Sequence, residues 1–337
     1  MHTVQSIAGA YDTRQHIPFS AGLCTPQRCY LPLVRALPNT EFHLHLLSPE
    51  MQKIGNRPAS FSEYAGMLLT YLDTHHISHG TFGGHSYGAA QMVLFAEYVD
   101  AIHKGAIPEF ADYVSTLEQR LQGGSAKATQ TSLYNLAKKA GRVSIDKLFL
   151  ANPFVHTERN PLHLAYIGYK HIRESIRKKE NSLSRYSLDV LRFLYSMVSP
   201  LRHFSYTETQ LPYPTLIYFG RSDPYFVHQE KGIKQLLDKF PNAYAFDDTT
   251  GDHKSGCILT PLKKEVLRTF LLHPSETLDL LLRTFPEFSS RNNAQAQGGA
   301  EGKVVIMQTP SSRKKPPREI SRQHPARESM PSPAIGY

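Results

Sequence analysis

The sequence predicts an α/β fold with a largely parallel sheet, because short apolar runs alternate with helical patterns along most of its length. The 337 residues, 40% of them hydrophobic, suffice for one large domain or one domain with an insertion. A glycine-rich junction near residue 86, where a strand-like run meets a helix-like run, is a third indication. Alternation at this spacing is typical of βαβ units, in which consecutive strands run parallel.

The hydrophobic period identifies each of the early elements. Strands show alternating or continuous apolar residues between turn signals, whereas helices show apolar residues three and four positions apart. In the SFSEYAGMLLTYLDT segment, for example, Tyr64, Met67, Leu68 and Tyr71 fall on one helical face. The predicted early elements are strands at 16–23, 41–47 and about 80–85, and helices at 31–37, 60–74 and about 87–103.

The later part of the chain repeats the alternation and adds two helical stretches. We expect a helical insertion at about 104–142, with GGSAKATQ as a loop inside it, and a tyrosine-rich basic helical segment at 156–210. The pattern LTPLKKEVLRTFLL predicts a long helix that either ends near 273 or continues into SETLDLLLRTF. The strands predicted in this part are at 146–155, 213–220 and 243–248.

The composition changes after about residue 287. Residues 288–337 are polar and basic, and six prolines follow residue 303, which is typical of a disordered tail. The core of the fold is therefore predicted to comprise 1–155 and 211–287.

The net charge of +9 is concentrated in two segments. Residues 303–337 hold seven Lys or Arg against two Glu, and residues 168–202 hold eight against three acidic residues, so each segment carries +5. Because the remainder is close to neutral, a general nucleic-acid-binding surface is not expected. The sequence does not define an oligomeric state.

The three cysteines, Cys24, Cys29 and Cys257, do not suggest a disulfide framework. No run of about 18 apolar residues predicts a transmembrane helix, and the amino terminus lacks the basic and apolar blocks of a secretory signal. We therefore expect reduced thiols in a cytoplasmic protein.

The glycine-rich junction has the sequence G-x-S-x-G, with Ser86 between Gly84 and Gly88. A serine on a sharp turn between a strand and a helix is held in a strained conformation that exposes its hydroxyl. Glycine is needed on both sides, because a Cβ atom would clash where the strand and the helix approach closely. Ser86 is therefore a candidate nucleophile.

A serine nucleophile needs a base, and the base needs a carboxylate that orients it. Asp223 follows the predicted strand at 213–220, and His253 lies in a loop beyond the strand at 243–248. These positions give the chain order Ser, Asp, His at the carboxyl ends of parallel strands, where the side chains converge. The competing acids are Asp247, Asp248 and Asp252, of which Asp252 is poorly placed because it is adjacent to His253.

These motifs resemble the α/β-hydrolase superfamily over roughly residues 1–285, in particular its serine esterases, lipases and thioesterases. GHSYG resembles the nucleophile elbow, GRSDPYF the acid turn and GDHKSG the histidine loop. SAGLC, at 20–24, falls where the family has its oxyanion loop, although Ala21 stands where a His is usual. The resemblance implies an oxyanion hole formed by the backbone N–H groups of Leu23 and Tyr87, and it implies that 156–210 is a helical lid.

The resemblance implies cleavage of an acyl ester or thioester through a Ser-His-Asp triad, without a metal or organic cofactor. Apolar residues of the lid could line an acyl pocket, and its basic residues could meet an anionic lipid or carrier; packing within the lid alone is the equal alternative. Acyl transfer or other non-hydrolytic chemistry on the same fold, and a non-catalytic interaction protein, are the alternative functions.

Histidines recur in two further places. His43 and His45 face the same side of a predicted strand, and His75, His76 and His79 follow nearby. No carboxylate or cysteine has ligand-like spacing with them, so we interpret them as packing or surface histidines and predict no metal site. His85, within the elbow, is expected to support or pack against the site, and Asn152 is a weaker candidate for a polar residue that lines it.

Overall fold

The structure is a computed structural model of the full chain. The residues that it describes are 14–22, 25, 27–47, 53–54, 57–59, 61–105, 130–155, 162, 165–166, 169, 195, 206, 208–220, 223, 229–248, 253, 257, 259–284 and 306–308. Among them, no helix has the length and apolar character needed to cross a membrane.

The described strands and helices alternate through most of the chain. The strands are β1 (Gln15–Ser20), β2 (Phe42–Leu47), β3 (Lys53–Ile54), β4 (Arg57–Pro58), β5 (His79–His85), β6 (Ser144–Ala151), β7 (Thr215–Gly220), β8 (Ala243–Asp248) and β9 (Ile306–Gln308). The α-helices are α1 (Leu31–Ala36), α2 (Phe61–Thr74), α3 (Tyr87–His103), α4 (Gln130–Ala140), α5 (Gln229–Lys239), α6 (Pro261–Leu272) and α7 (Thr277–Thr284).

Seven of the described strands form one sheet in the order β2-β1-β5-β6-β7-β8-β9. All six neighbouring pairs are parallel, whereas β3 and β4 form a separate antiparallel pair. The chain moves from β1 outward to β2 and then returns to the other side of β1 with β5. This reversal opens a crevice at the carboxyl ends of β1 and β5, where ligands bind in open α/β sheets.

Two hydrophobic cores lie on the two faces of the sheet. One core contains buried residues of α2, α3, α4 and α5, and the other contains residues of α1, α6 and α7. Alternate residues of β6 contribute to different cores: Leu148 and Leu150 to the first, Phe149 and Ala151 to the second. This alternation follows from the period of two in a strand that is covered on both faces.

The α/β prediction and the parallel sheet are confirmed, and β2 and β8 begin and end within one residue of the predicted limits. The closing helix ends near 273, as one of the two alternatives predicts, and it does not continue into SETLDLLLRTF. It ends at Leu272, and a 3₁₀ turn at Pro274–Glu276 separates α6 from α7. Proline lacks the N–H that a continuing helix requires, and it disfavours helical backbone at the preceding residue.

The predicted insertion, lid and tail fall largely outside the described residues. The described part of the insertion includes α4, which begins at Gln130, the last residue of the predicted GGSAKATQ loop. Of the predicted lid only 162, 165–166, 169, 195, 206 and 208–210 are described. Within the predicted disordered tail the structure describes one strand, β9, which pairs in parallel with β8. The apolar run VVIM gives this short segment strand character.

A buried ion pair joins two of the helices that support the sheet. Lys239, at the end of α5, contacts Glu97 of α3, and the two side chains are 0% and 1% exposed. Lys239 Nζ also donates to the backbone oxygen of Thr209 at 3.0 Å, just before β7. Because neither charge reaches water, each depends on the other for compensation.

Replacing Lys239 by Met is expected to lower the free energy of unfolding by about 3–5 kcal/mol, because the Glu97 carboxylate stays buried without its partner. Urea denaturation measures this loss. The control is Lys139→Met, which removes an exposed contact with Asp73 at 4.0 Å and should cost less than about 1 kcal/mol. Equal losses in the two variants would contradict the dependence of Glu97 on Lys239.

Candidate active site

Ser86 lies at the sharp turn between β5 and α3. Its backbone has φ 54° and ψ −123°, in a region that a residue with a side chain rarely adopts. The conformation is held from the end of the neighbouring strand β6, because Ser86 N–H donates to the oxygen of Ala151 at 3.0 Å and Phe154 N–H donates to the oxygen of Ser86 at 3.1 Å. A conformation of this kind costs about 1–3 kcal/mol and persists only where the surroundings enforce it.

The glycines beside Ser86 allow three pieces of backbone to meet. A Cβ atom at Gly84 would lie 2.6 Å from the backbone nitrogen of Ala89. A Cβ atom at Gly88 would lie 2.2 Å from the oxygen of Ala21, in the loop after β1. Both distances are too short for any side chain, so the first turn of α3 can pack against this loop only if these positions are glycine.

Asp223 and His253 meet beyond the carboxyl ends of β7 and β8. The distance from His253 Nδ1 to Asp223 Oδ2 is 2.5 Å, and the two side chains are 14% and 0% exposed. A carboxylate only accepts hydrogen bonds, so Nδ1 carries the proton and Nε2 of the neutral ring keeps its lone pair. This tautomer is the one that a general base requires.

The loop that carries His253 is anchored beside the elbow by its backbone oxygen. His85 Nε2 and Asn152 Nδ2 both donate to that oxygen, each at 2.7 Å. The rings of His85 and His253 are 4.8 Å apart between centroids. Since His85 precedes Ser86 directly, the structure brings the elbow and the Asp223–His253 pair to the same edge of the sheet.

A directional chain of hydrogen bonds continues from His85 into the loop after β1. Because His85 Nε2 donates, its Nδ1 accepts from the Tyr30 hydroxyl at 3.0 Å. The Tyr30 oxygen in turn accepts from Gly22 N–H at 2.6 Å. Burial raises the pKa of Tyr30 well above its ordinary value, so the hydroxyl stays protonated and can donate.

This chain of hydrogen bonds bears on the predicted oxyanion donors. The Gly22 N–H is already committed to Tyr30, and the predicted donor Leu23 lies outside the described residues. Tyr87, the other predicted donor, is the first residue of α3, where backbone N–H groups have no partner within the helix. Its N–H therefore lies at the amino-terminal end of α3, next to Ser86 in the chain, and its role as an oxyanion donor stays a prediction.

Asn152 connects the acid turn to the histidine loop. It has a positive φ of 41° and is 1% exposed at the end of β6. Its side-chain oxygen accepts from Gly220 N–H at 2.6 Å, while its side-chain nitrogen donates to His253. Both polar ends are thus used for positioning, although the sequence indicated only a polar residue that lines the site.

The sequence analysis did not identify Tyr30 as a residue of the site. No local motif marks it, because its partner His85 is 55 positions away.

Replacing His85 by Phe is expected to lower kcat by about 10- to 100-fold, because the loop that holds His253 loses one of its two anchors. Steady-state kinetics on an activated ester measures this. A Tyr30→Phe variant breaks the same chain one step earlier, so the two effects should not be additive in the double variant. The control is His79→Phe, at an exposed position, which should leave kcat unchanged. Additive losses in the double variant, or an unchanged kcat in His85→Phe, would contradict the role of His85 in positioning the His253 loop.

The sheet order, the strained turn after β5 and the order Ser86, Asp223, His253 along the chain together define an α/β-hydrolase fold, the class that the sequence predicts. No protein-family model matches the chain, and no curated protein matches it.

Several solved structures are similar to this chain. An α/β-hydrolase family protein from Desulfitobacterium hafniense is 13% identical, with 77% of this chain and 97% of that chain covered and a TM-score of 0.45. The RedJ thioesterase of the prodiginine pathway in Streptomyces coelicolor is 12% identical, with 76% and 84% covered and a TM-score of 0.45. An epoxide hydrolase from metagenomes of hot environments is 14% identical, with 78% and 92% covered and a TM-score of 0.43. The fold assignment itself rests on the topology of this chain.

Proposed function

We propose that this protein is a serine hydrolase that cleaves acyl esters or thioesters through Ser86, His253 and Asp223. The observation that carries the proposal is the Asp223–His253 hydrogen bond of 2.5 Å at the same sheet edge as the strained Ser86 turn. A serine alone would be a weak nucleophile, and the pair supplies the base and the group that orients it.

The reaction begins when Ser86 Oγ attacks the acyl carbonyl and His253 Nε2 accepts its proton. Asp223 stabilises the imidazolium that forms and keeps the ring oriented. The C–O or C–S bond to the leaving group then breaks, and His253 returns the proton to the departing oxygen or sulfur. Water, activated by the same imidazole, releases the acid and restores the Ser86 hydroxyl.

The negative charge of the tetrahedral intermediate needs donors that are in place beforehand. The Tyr87 N–H at the start of α3 is one, and we propose the Leu23 N–H of the loop after β1 as the other. One such donor is worth about 3–4 kcal/mol of transition-state stabilisation. Two features support this role, because they place the loop beside the elbow. Gly22 N–H donates to Tyr30, and the backbone of Gly88 approaches the Ala21 oxygen closely.

An activated ester tests the proposal directly. A p-nitrophenyl ester series of increasing acyl length should be hydrolysed with an initial burst of about one p-nitrophenol per enzyme, as expected when acyl-enzyme accumulates. Ser86→Ala should remove the burst, whereas Ser78→Ala, at an exposed serine, should not. Absence of hydrolysis across the series, or a burst that survives in Ser86→Ala, would overturn the proposal.

We further propose that the preferred substrate carries an anionic group, such as a phosphate-bearing carrier or lipid. Residues 168–202, in the predicted lid, carry a net charge of +5. A concentration of positive charge attracts anions in a salt-dependent way. A phosphopantetheine thioester should therefore show a lower KM than an uncharged thioester of the same acyl group, and the difference should shrink with added salt.

Charge-removing variants locate the effect. Replacing Arg177, Lys178 and Lys179 together by Gln should raise KM for the anionic thioester and leave that of the uncharged one unchanged. The matched control replaces Lys314 and Lys315 in the tail. An equal KM for the two thioesters in the unaltered protein would contradict the preference for an anion.

A further inference from the structure

Three histidines from two neighbouring strands lie together on one face of the sheet. His16 of β1 is in register with His43 of the edge strand β2, and His45 lies two residues further along the same face of β2. His16 is four residues before the end of β1, about 13 Å along the strand from the edge that carries the elbow. The cluster is therefore separate from the candidate active site.

The ring nitrogens of the three histidines lie close to one another. One ring nitrogen from each histidine lies within 4.8 Å of the others. The rings of His43 and His45 are stacked with centroids 4.0 Å apart, and His16 Nδ1 is 2.9 Å from His45 Nε2. His45 is buried, while His16 and His43 are half-buried, so the cluster can be reached from solvent on one side.

We propose that His16, His43 and His45 form a binding site for a divalent transition-metal ion of the zinc class. Neutral imidazole is a ligand that suits zinc, copper and nickel, and three histidines with a fourth position open to water are an established zinc arrangement. No activity is assigned to the ion; its role is to join the edge strand β2 to β1.

The distances are compatible with zinc after a small adjustment. Two nitrogens bound to one tetrahedral zinc ion at about 2.0–2.1 Å lie about 3.3 Å apart. The His16–His45 separation is shorter than that because the two nitrogens share a hydrogen bond, whose proton zinc displaces, and the widest separation of 4.8 Å has to close by about 1.5 Å. The rings of His16 and His43 have to rotate for this, because the stacked rings of His43 and His45 do not direct their nitrogens at one point.

A hydrogen bond to the far side of His45 supports the proposal. His45 Nδ1 lies 3.0 Å from the Tyr71 hydroxyl of α2, which leaves Nε2 directed into the cluster. Histidines that bind metals commonly use the other ring nitrogen in this way, because the contact fixes the tautomer and the ring orientation.

Arg14 acts against cation binding and has to be displaced. Its Nη2 donates to His43 Nδ1 at 3.3 Å, near the long limit of a hydrogen bond. Arg14 is half-buried, and its Nη1 also donates to the oxygen of Asn39 at 3.4 Å. Binding of a cation at the three histidines requires the positively charged guanidinium to move away from His43.

Titration of the full chain with Zn²⁺, after removal of any histidine tag, tests the proposal. Isothermal calorimetry should show a single zinc ion per chain, and thermal denaturation should show a higher Tm with zinc. Co²⁺ in place of zinc should give the visible absorption bands of a four-coordinate ion. His43→Gln, at a half-buried ligand position, should weaken zinc binding by at least about 100-fold.

Two matched variants make the result specific. His103→Gln, at the exposed end of α3, and His253→Gln, at the candidate active site, should bind zinc as the unaltered protein does. Circular dichroism checks that His43→Gln is folded, and His16→Gln serves as a second ligand variant if it is not. Unaltered binding in the folded ligand variants, loss of binding in His253→Gln, or absence of binding in the unaltered protein would each overturn the proposal.

Discussion

Replacing Ser86 by Ala is expected to lower kcat toward an activated ester by about 10⁶-fold, the effect of removing the nucleophile from a triad that acts as a unit. The Asp223–His253 pair remains in place, but no hydroxyl is available to form the acyl-enzyme. The variant should still accelerate the reaction about 10³- to 10⁴-fold over the uncatalysed reaction in water, through substrate binding and the oxyanion donors. Steady-state kinetics with a long-chain p-nitrophenyl ester measures the loss.

The substitution should change activity without changing the fold. Ala removes one oxygen atom from a side chain that is only 8% exposed, and the backbone bonds from Ser86 N–H to Ala151 and from Phe154 N–H to Ser86 do not depend on it. An unchanged Tm is therefore expected alongside the loss of kcat. A variant that retains more than a small fraction of the activity would contradict the nucleophile assignment.

Replacing Asp223 by Asn is expected to lower kcat by about 10⁴-fold, while the geometry of the site changes little. The carboxylate accepts the proton on His253 Nδ1 at 2.5 Å, whereas an amide can present its N–H₂ group instead. The imidazole would then carry its proton on Nε2 and lack the lone pair that accepts the Ser86 proton in the proposed mechanism. Asp223 is wholly buried, so bulk water does not substitute for the lost acceptor.

Asp238→Asn, at an exposed carboxylate in α5, is the matched control and should leave kcat unchanged. A near-normal kcat in Asp223→Asn would assign the acid to Asp247 or Asp248, the other acids considered from the sequence. Their side chains lie outside the described residues, and within those residues Asp223 is the carboxylate bonded to His253.

The sequence predicts the α/β fold well because the evidence for it is local. Apolar runs such as AYAFDD and TLIYFG are bounded by turn signals, and they form β8 and β7. Ser86, Asp223 and His253 could be selected because each lies in the turn or loop that follows such a run. Helix α5 was not predicted, although Ile233, Leu236 and Leu237 have the spacing of one helical face, so its signal was present in the sequence.

Contacts that depend on the order and register of the strands could not be predicted. His43 and His45 share a strand and are visible as a pair, but the third histidine is His16, on β1, which becomes adjacent only when β1 and β2 pair. Tyr30 reaches His85 for a similar reason, because the loop after β1 packs on the start of α3. Spacing along one chain does not specify which strands become neighbours in the sheet.

The most direct test of the hydrolase proposal is covalent labelling by a fluorophosphonate, which reacts with a serine only when a base and an oxyanion site activate it. Peptide mass spectrometry of the folded full chain should find one adduct, on Ser86. The adduct should be absent from Ser86→Ala, strongly reduced in Asp223→Asn and absent after denaturation. Folded protein that stays unlabelled, or an adduct on another serine that persists in Ser86→Ala, would contradict the assignment of Ser86 as the nucleophile.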